Sequence, residues 1–176
     1  MRFAFLTTHD WPGAFEKETR LAAHFSQGAH QAAVVDWNDP SVDWQQFDCL
    51  VFRTVWDYFR KPAAFLSWLG HIESLGIPTL NPLPIVRRNL HKFYLRELAQ
   101  QDIPIIPTVF MEAGSELNLS CLRENGWEEA VIKPAISAGS FHTRRFRQEE
   151  AAAVMLEFAP YWLNKICCFS LSCMKF

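Results

Sequence analysis

The stretch AVIKPAISAGS, residues 130–140, decides which fold is expected. Its opening residues are apolar and β-prone, which predicts a strand ending at Lys133. A loop of small residues comes next and contains Ser137, Ala138, Gly139 and Ser140. Small residues let backbone N–H groups approach phosphate oxygens, and a lysine adds a point charge. The stretch therefore predicts a phosphate site, with a strand-end lysine that only reaches solvent as the alternative.

A second lysine lies upstream, in the run NLHK at residues 89–92. This run opens a helix predicted from about Asn89 to Gln101, whose leucines can face a core while Lys92 lies off the apolar stripe. The helix macrodipole disfavours a cation at this end unless an anion lies close by. Lys92 is therefore a second candidate phosphate ligand, although an exposed helical lysine explains its position equally well.

Strands and helices alternate through residues 1–84. Strands are predicted at Arg2–Thr7, Ala32–Trp37, Cys49–Thr54 and Ile77–Leu80, and helices at Phe15–Gln27 and Pro62–Leu75. Because parallel strands need helical crossovers, this alternation predicts an α/β fold with a mostly parallel, twisted sheet covered by helices.

The segment NPLPIVRRN, residues 81–89, contains two prolines close together. Prolines interrupt helices and central strands, so we expect no continuous helix here, but a change of direction and a domain boundary. Strands are then predicted at Ile105–Phe110, Ala130–Lys133 and His142–Arg147, and helices at Leu117–Glu124 and Gln148–Phe158. This second region is expected to be α+β.

Two charged residues, Arg53 and Asp57, follow the third predicted strand. Open α/β sheets bind ligands at the carboxyl ends of their strands, so Arg53 could hold a substrate carboxylate and Asp57 an amine. The alternative is a surface ion pair that contributes about 0 to 1 kcal/mol. His9 and Asp10 also lie at a ligand-facing end, but without a second signal.

The composition describes a globular chain of 176 residues, with 49% hydrophobic and 20% charged residues, whose expected partners are small molecules. A formal net charge of −2 offers no field that would attract a nucleic acid. The five cysteines are odd in number and form no CxxC pair, which favours a reducing, cytoplasmic location. No stretch is apolar over the ~18 to 20 residues that a membrane span needs.

Several other kinds of site lack sequence support. The six histidines show no HxxH or HExxH spacing, so no metal ligand is assigned. The motifs GxGxxG, GxxxxGK and GxSxG are absent, which argues against a dinucleotide dehydrogenase, a P-loop enzyme and an α/β-hydrolase. The basic residues Arg144, Arg145 and Arg147 are expected to form a solvated strand edge.

Three segments occur in an order that is similar to a known family: NPLPIVRRNLHKFYLRELA, then IPIIPTVF, then VIKPAISAGSFHTRRF. Together they resemble the first ATP-grasp subdomain of glutathione-synthetase-like and ribosomal-protein-modifying ligases. Upstream, the run VVDWNDPSVDWQQFDCLVFRTVWDY resembles the pre-ATP-grasp domain of a bacterial-type branch. The resemblance covers roughly residues 1–158.

The resemblance implies three parts. A Rossmann-like pre-ATP-grasp domain is expected at 1–84, an α+β partial ATP-grasp domain (the first subdomain) at 85–158, and an atypical tail at 159–176. It also implies that Lys92 and Lys133 approach the phosphates of ATP, with the loop after Pro134 closing over them.

The resemblance also implies a chemistry. Family members make an acyl phosphate from a carboxylate and ATP, and an amine or thiol then attacks it; magnesium is held by a second subdomain. The tail YWLNKICCFSLSCMKF does not match that subdomain. The implied protein is an ATP-binding, ligase-like chain with a small carboxylate substrate, truncated before its metal-binding half, so that independent turnover is in doubt. Two alternatives stay open: a noncatalytic binding or dimerisation module, which could form a homo-oligomer, and a nonfunctional gene product.

Overall fold

The computed structural model describes residues 1–11, 13–112, 120–163 and 169–173, with backbone alone for 161–163 and 169–173. The chain forms two compact units, Met1–Asn89 and Leu90–Phe176, each with its own four-stranded sheet. The three-part division at residues 84 and 158 stays a prediction about domains.

The first unit contains a parallel sheet. Its strands are β1 Arg2–Thr7, β2 Gln31–Asp36, β3 Cys49–Phe52 and β4 Thr79–Leu80, in the order β2-β1-β3-β4. β1 lies inside the sheet, and its last four residues are buried. Parallel strands are apolar along most of their length because such sheets are covered on both faces. The predicted α/β fold is confirmed.

Two helices form the crossovers of this sheet. α1, Ala14–Phe25, connects β1 to β2, and α2, Pro62–Leu75, lies between β3 and β4. α2 buries three apolar side chains at helical spacing: Phe65, Leu69 and Ile72. Its first residue is Pro62, which lacks an N–H at a position where a backbone N–H would have no partner within the helix. Gly76 ends the helix in the left-handed conformation, at φ 66°.

A third helix, α3 Leu83–Leu90, occupies the segment in which two prolines predicted an interruption. That prediction is wrong because Pro84 falls in the first helical turn, where its missing N–H removes no intrahelical hydrogen bond. The N–H groups of Ile85 and Val86 both donate to the Pro82 carbonyl, which starts the helix.

The second unit contains an antiparallel sheet. Its strands are β5 Thr108–Met111, β6 Glu129–Pro134, β7 Arg144–Arg147 and β8 Phe169–Cys173, in the order β5-β8-β6-β7. The helices are α4 Tyr94–Gln100, α5 Ser120–Glu124 and α6 Ala151–Leu163. α5 and α6 share one apolar core with the sheet: Met111, Leu122, Trp127, Ala130, Ile132, Phe146, Val154 and Phe158. The predicted α+β region is confirmed.

The tail contributes β8 to the middle of this sheet. Its backbone pairs with β5 on one side and β6 on the other, with Leu171 opposite both Val109 and Ile132. No element was predicted beyond Phe158, whereas α6 also continues through Pro160. Residues 169–173 of the tail are therefore part of the sheet.

Two strands of the second unit begin later than predicted. β5 begins at Thr108, not Ile105, because Pro107 has no N–H with which to pair. β7 begins at Arg144, not His142, because His142 has a φ of 47°, outside the extended region.

Lys92 lies in a turn between α3 and α4, not inside the single helix predicted from Asn89 to Gln101. Its backbone N–H donates to the Ala135 carbonyl at 2.8 Å, a partner outside any helix. The predicted helix Leu117–Glu124 is present as α5 in its described part, and residues 117–119 lie outside the described residues.

Candidate functional site

The turn before α4 places the Lys92 ammonium against the loop that follows β6. Its Nζ donates to the Ser137 carbonyl at 2.9 Å and to Ser137 Oγ at 2.8 Å. A longer contact of 3.4 Å joins Nζ to the Ala135 carbonyl. Two of the predicted phosphate residues, Lys92 and Ser137, are thereby brought into direct contact.

The predicted small-residue loop is held by its own turns. Gly139 has a φ of 58° and Ser140 a φ of 59°, so both are left-handed. The N–H of Phe141 donates to the Ala138 carbonyl, and that of Thr143 to the Ser140 carbonyl, each at 3.0 Å. Turn conformations are those in which backbone N–H groups form anion-binding concavities. The loop backbone is therefore compatible with the predicted phosphate contact.

Lys133 lies near the end of β6, on the strand face opposite the core. Ala130, Ile132 and Pro134 are buried along this strand, and Lys133 between them is half-buried. Its charge acts on the other predicted lysine: burial, and then the charge of Lys133, lower the pKa of the Lys92 ammonium to about 8. The two lysines predicted to share a phosphate are thus electrostatically coupled.

This pair of cations is an arrangement that an anion stabilises. Each ammonium raises the energy of the other, and burial removes part of the water that would solvate Lys92. Within the described part of the chain, neither Lys92 nor Lys133 forms an ion pair with a carboxylate. A phosphate group could therefore supply the neutralising charge.

Arg53 pairs with a buried glutamate of α1. Its Nε donates to Glu18 Oε2 at 3.0 Å, and the Glu18 side chain is 4% exposed against 42% for Arg53. The backbone N–H of Arg53 donates to the Leu6 carbonyl of β1 at 3.2 Å, which holds the residue just beyond β3. The surface Arg53–Asp57 pair, considered as the alternative from sequence, is not among the ion pairs of the described residues.

Asp57 is a buried carboxylate, with its side chain 1% exposed. Its Oδ1 accepts the indole N–H of Trp37 at 2.7 Å, and its Oδ2 lies 3.9 Å from Lys61 Nζ. The same ammonium donates to Asp10 Oδ2 at 2.9 Å. Asp57 already has a cation beside it, and its role as an amine ligand stays a prediction.

Further polar and aromatic side chains follow the carboxyl ends of the parallel strands. The backbone N–H of His9 donates to Asp36 Oδ2 at 2.8 Å, and His9 Nδ1 lies 2.9 Å from the same oxygen. The rings of Trp11 and Trp56 pack edge to face with centroids 5.8 Å apart. This is the sheet edge at which open α/β folds bind small molecules.

Sequence reasoning missed Glu18. The residue lies four positions after Ala14 and four before Ala22, and all three are buried on one face of α1. A carboxylate on an otherwise apolar stripe needs a buried or half-buried partner, because burying an unpaired charge is costly. That position on the stripe was the signal that could have pointed to the pair with Arg53.

No group of three or more His, Cys, Asp or Glu side chains in the described residues is placed to hold a metal ion. None of the helices in the described ranges is long and apolar enough to cross a lipid bilayer.

The sequence matches a known family over its first unit. The family described as "D-cycloserine synthetase DcsG, N-terminal domain" matches residues 3–81. The cycloserine biosynthesis protein DcsG of Streptomyces lavendulae is 34% identical over 128 residues, which is 68% of this chain and 41% of that protein.

Solved structures extend the likeness across both units. The crystal structure of D-cycloserine synthetase DcsG superposes with a TM-score of 0.84 at 26% identity, covering 98% of this chain and 59% of the other. A RimK domain ATP-grasp protein from Sphaerobacter thermophilus gives a TM-score of 0.68 at 19% identity, covering 100% of this chain and 64% of the other. The chain belongs to the ATP-grasp superfamily.

The ATP-grasp resemblance expected from three sequence segments is thereby confirmed, as is the pre-ATP-grasp fold of the first unit. A D-alanine–D-alanine ligase from Bacillus anthracis, solved in complex with ATP, has the same fold, with a TM-score of 0.67 at 12% identity and coverage of 100% of this chain and 59% of that one. The chain spans 41% of the length of its curated relative and about three fifths of these solved ATP-grasp structures.

Proposed function

We propose that this chain is the nucleotide-binding part of an ATP-dependent ligase that joins a small carboxylate to an amine or a thiol. The observation that carries the proposal is the contact of the Lys92 ammonium with Ser137, in the small-residue loop that follows the strand of Lys133. ATP-grasp membership supports ATP as the source of the phosphate groups.

The two lysines would act by neutralising charge. An ammonium in a partly dehydrated site interacts with a phosphate more strongly than in water, and a second cation nearby increases the field. In the proposed reaction a substrate carboxylate oxygen attacks the γ-phosphorus, forming an acyl phosphate as ADP leaves. An amine or thiol then attacks the acyl carbon and inorganic phosphate leaves. Lys92 and Lys133 hold the polyphosphate during the first step.

Magnesium is part of this proposal, and its ligands are expected in a second subdomain. Metal ions bridge nucleotide phosphates and offset the charge that develops during phosphoryl transfer. The family resemblance assigns those ligands to a second subdomain, and the solved relatives are longer than this chain.

The first unit is proposed to bind the carboxylate substrate through Arg53. Because Glu18 holds its Nε, the guanidinium has a defined orientation, and terminal guanidinium nitrogens bind carboxylates in a bidentate manner. The names of two relatives, a D-cycloserine synthetase and a D-alanine–D-alanine ligase, support a small amino-acid-like molecule. The cysteine pattern supports a cytoplasmic setting.

Calorimetric titration of the chain with Mg-ATP, and separately with inorganic tripolyphosphate, tests the phosphate site. Lys133→Met removes one cation at similar side-chain length, and binding should weaken by about ten- to a hundredfold. Lys17→Met, which removes an exposed cation from α1, is the matched control and should leave affinity unchanged.

Two results would count against the proposal. If the wild-type chain binds neither ligand, the noncatalytic small-molecule-binding module becomes the better description of the first unit. If both lysine variants weaken binding equally, the effect is one of net charge and no site is present.

A further inference from the structure

The Lys92 ammonium has three N–H donors, and its contacts engage them unequally. Ser137 supplies two short contacts, 2.8 Å to its hydroxyl and 2.9 Å to its carbonyl, whereas the Ala135 carbonyl lies at 3.4 Å. Hydrogen bonds from nitrogen to oxygen weaken beyond about 3.2 Å. The donor that faces Ala135 is therefore the one most readily given to another acceptor.

The Ser137 hydroxyl is itself oriented. Its Oγ is the donor in a long contact of 3.3 Å with the Pro134 carbonyl at the end of β6, and it accepts from Lys92 Nζ in a short one of 2.8 Å. The residue is 8% exposed, so little water can replace these contacts. The hydroxyl therefore ties the ammonium to the strand that carries Lys133.

We infer that Ser137 is a positioning residue for Lys92, holding the ammonium at the loop so that its third donor and its charge are presented to a phosphate. This inference rests on the proposed function. It assigns Ser137 a role different from the one expected from sequence, in which the loop backbone itself contacts the phosphate.

The charged groups around Lys92 make this role measurable. Lys133 from β6 disfavours the protonated amine. His91 lies beside Lys92 in the same turn, and its pKa is lowered mainly by burial, against the opposing charge of Glu112. Acceptors on Ser137 favour the charged form because they bond to ammonium protons. Loss of the hydroxyl should lower both the affinity for phosphate and the pH at which Lys92 loses its proton.

The test compares three substitutions by titration with inorganic tripolyphosphate over a range of pH. Ser137→Ala removes the hydroxyl and should weaken binding by about tenfold, and the pH at which binding is lost should fall. Ser137→Thr keeps a hydroxyl and should restore both properties. Ser74→Ala removes a hydroxyl that bonds the His71 carbonyl in the first unit, and should change neither.

A second measurement is independent of binding. The Lys92 side-chain NMR signal, assigned with Lys92→Met, reports the pKa of the ammonium, which should be lower in Ser137→Ala than in wild type. If the wild-type chain binds tripolyphosphate and Ser137→Ala has the same affinity, the same pH midpoint and the same Lys92 pKa, the positioning role alone is overturned. A wild-type chain that binds neither tripolyphosphate nor Mg-ATP at any pH would overturn the proposed function, and the positioning role with it.

Discussion

At the scale of single residues, Arg53 shows how a buried carboxylate can orient a half-exposed cation. Glu18 is almost fully buried on the inner face of α1, and its ion pair with Arg53 spans 35 positions of the chain. Breaking such a pair by removing one partner leaves the buried charge uncompensated. The pair should therefore matter more for stability than a surface salt bridge does.

Arg53→Met should lower the free energy of unfolding by about 1 to 3 kcal/mol, because Glu18 is then left buried without its partner. The estimate is kept below that of a fully buried pair because Arg53 is 42% exposed. Arg20→Met, which breaks the exposed pair with Glu16, is the control and should change stability by less than about 1 kcal/mol. Urea denaturation measures both, and equal losses would contradict the prediction.

Lys92 should make stability depend on pH in a defined window. Its pKa in the folded chain is about 8, below the ordinary 10.5, so between these pH values the unfolded chain binds more protons. Stability relative to Lys92→Met should therefore rise as pH increases from about 8 towards 10.5. Denaturation of both proteins across this window tests the sign, and a falling or flat difference would contradict it.

At the scale of elements, α2 has one glycine inside it and one at its C-terminal cap, and the two have opposite roles. Gly70 lies inside the helix, where an added Cβ would meet only Arg87 Nη2 at 3.8 Å, an ordinary contact. Gly76 ends the helix at φ 66°, in open space. Space is available at both positions, so backbone conformation alone should decide the effect of a substitution.

Gly70→Ala should stabilise the chain by about 0.5 to 1 kcal/mol, because alanine loses less backbone entropy in a helix. Gly76→Ala should destabilise it by about 1 kcal/mol, because a side chain in the left-handed region is strained. Thermal and urea unfolding of the two variants provide the comparison, and the same sign for both would exclude this explanation.

The strand β8 is the element on which the second sheet depends. It is bonded to neighbours on both sides, so a proline within it would remove a backbone donor and disturb the central ladder. Leu171→Pro should therefore abolish amide protection in β5 and β6, as measured by hydrogen exchange. Retained protection in both strands would show that β8 is dispensable.

At the scale of the whole molecule, the chain consists of two compact units, each with its own sheet. Leu69, which is fully buried in the first unit, provides a probe of this organisation. Leu69→Ala should cost about 2 to 5 kcal/mol of stability in that unit. Hydrogen exchange should show the loss in β1 and β3 and not in β6, and a uniform loss would mean that the chain unfolds as one cooperative body.

The sequence alone determined the class of each unit and most of its elements. Apolar residues at helical spacing located α2, and a continuous apolar run located β1. The order of three segments identified the ATP-grasp family. These features are local, since side-chain period reports which face of an element is buried. Lys133 and the loop after Pro134 could be nominated in the same way, because they lie at the end of a readable strand. Lys92 could be nominated although the turn that holds it was predicted as part of a helix.

Only the tertiary structure decided which of these residues meet. Lys92 reaches Ser137 across 45 positions, and Glu18 reaches Arg53 across 35. β8, FSLSC, alternates apolar and polar residues as a strand does, but its place between β5 and β6 is set by ladder bonds to strands that come earlier in the chain. The physical reason is that ion pairs, hydrogen bonds and strand pairing are made between remote segments, whereas sequence patterns record only the preferences of each segment by itself.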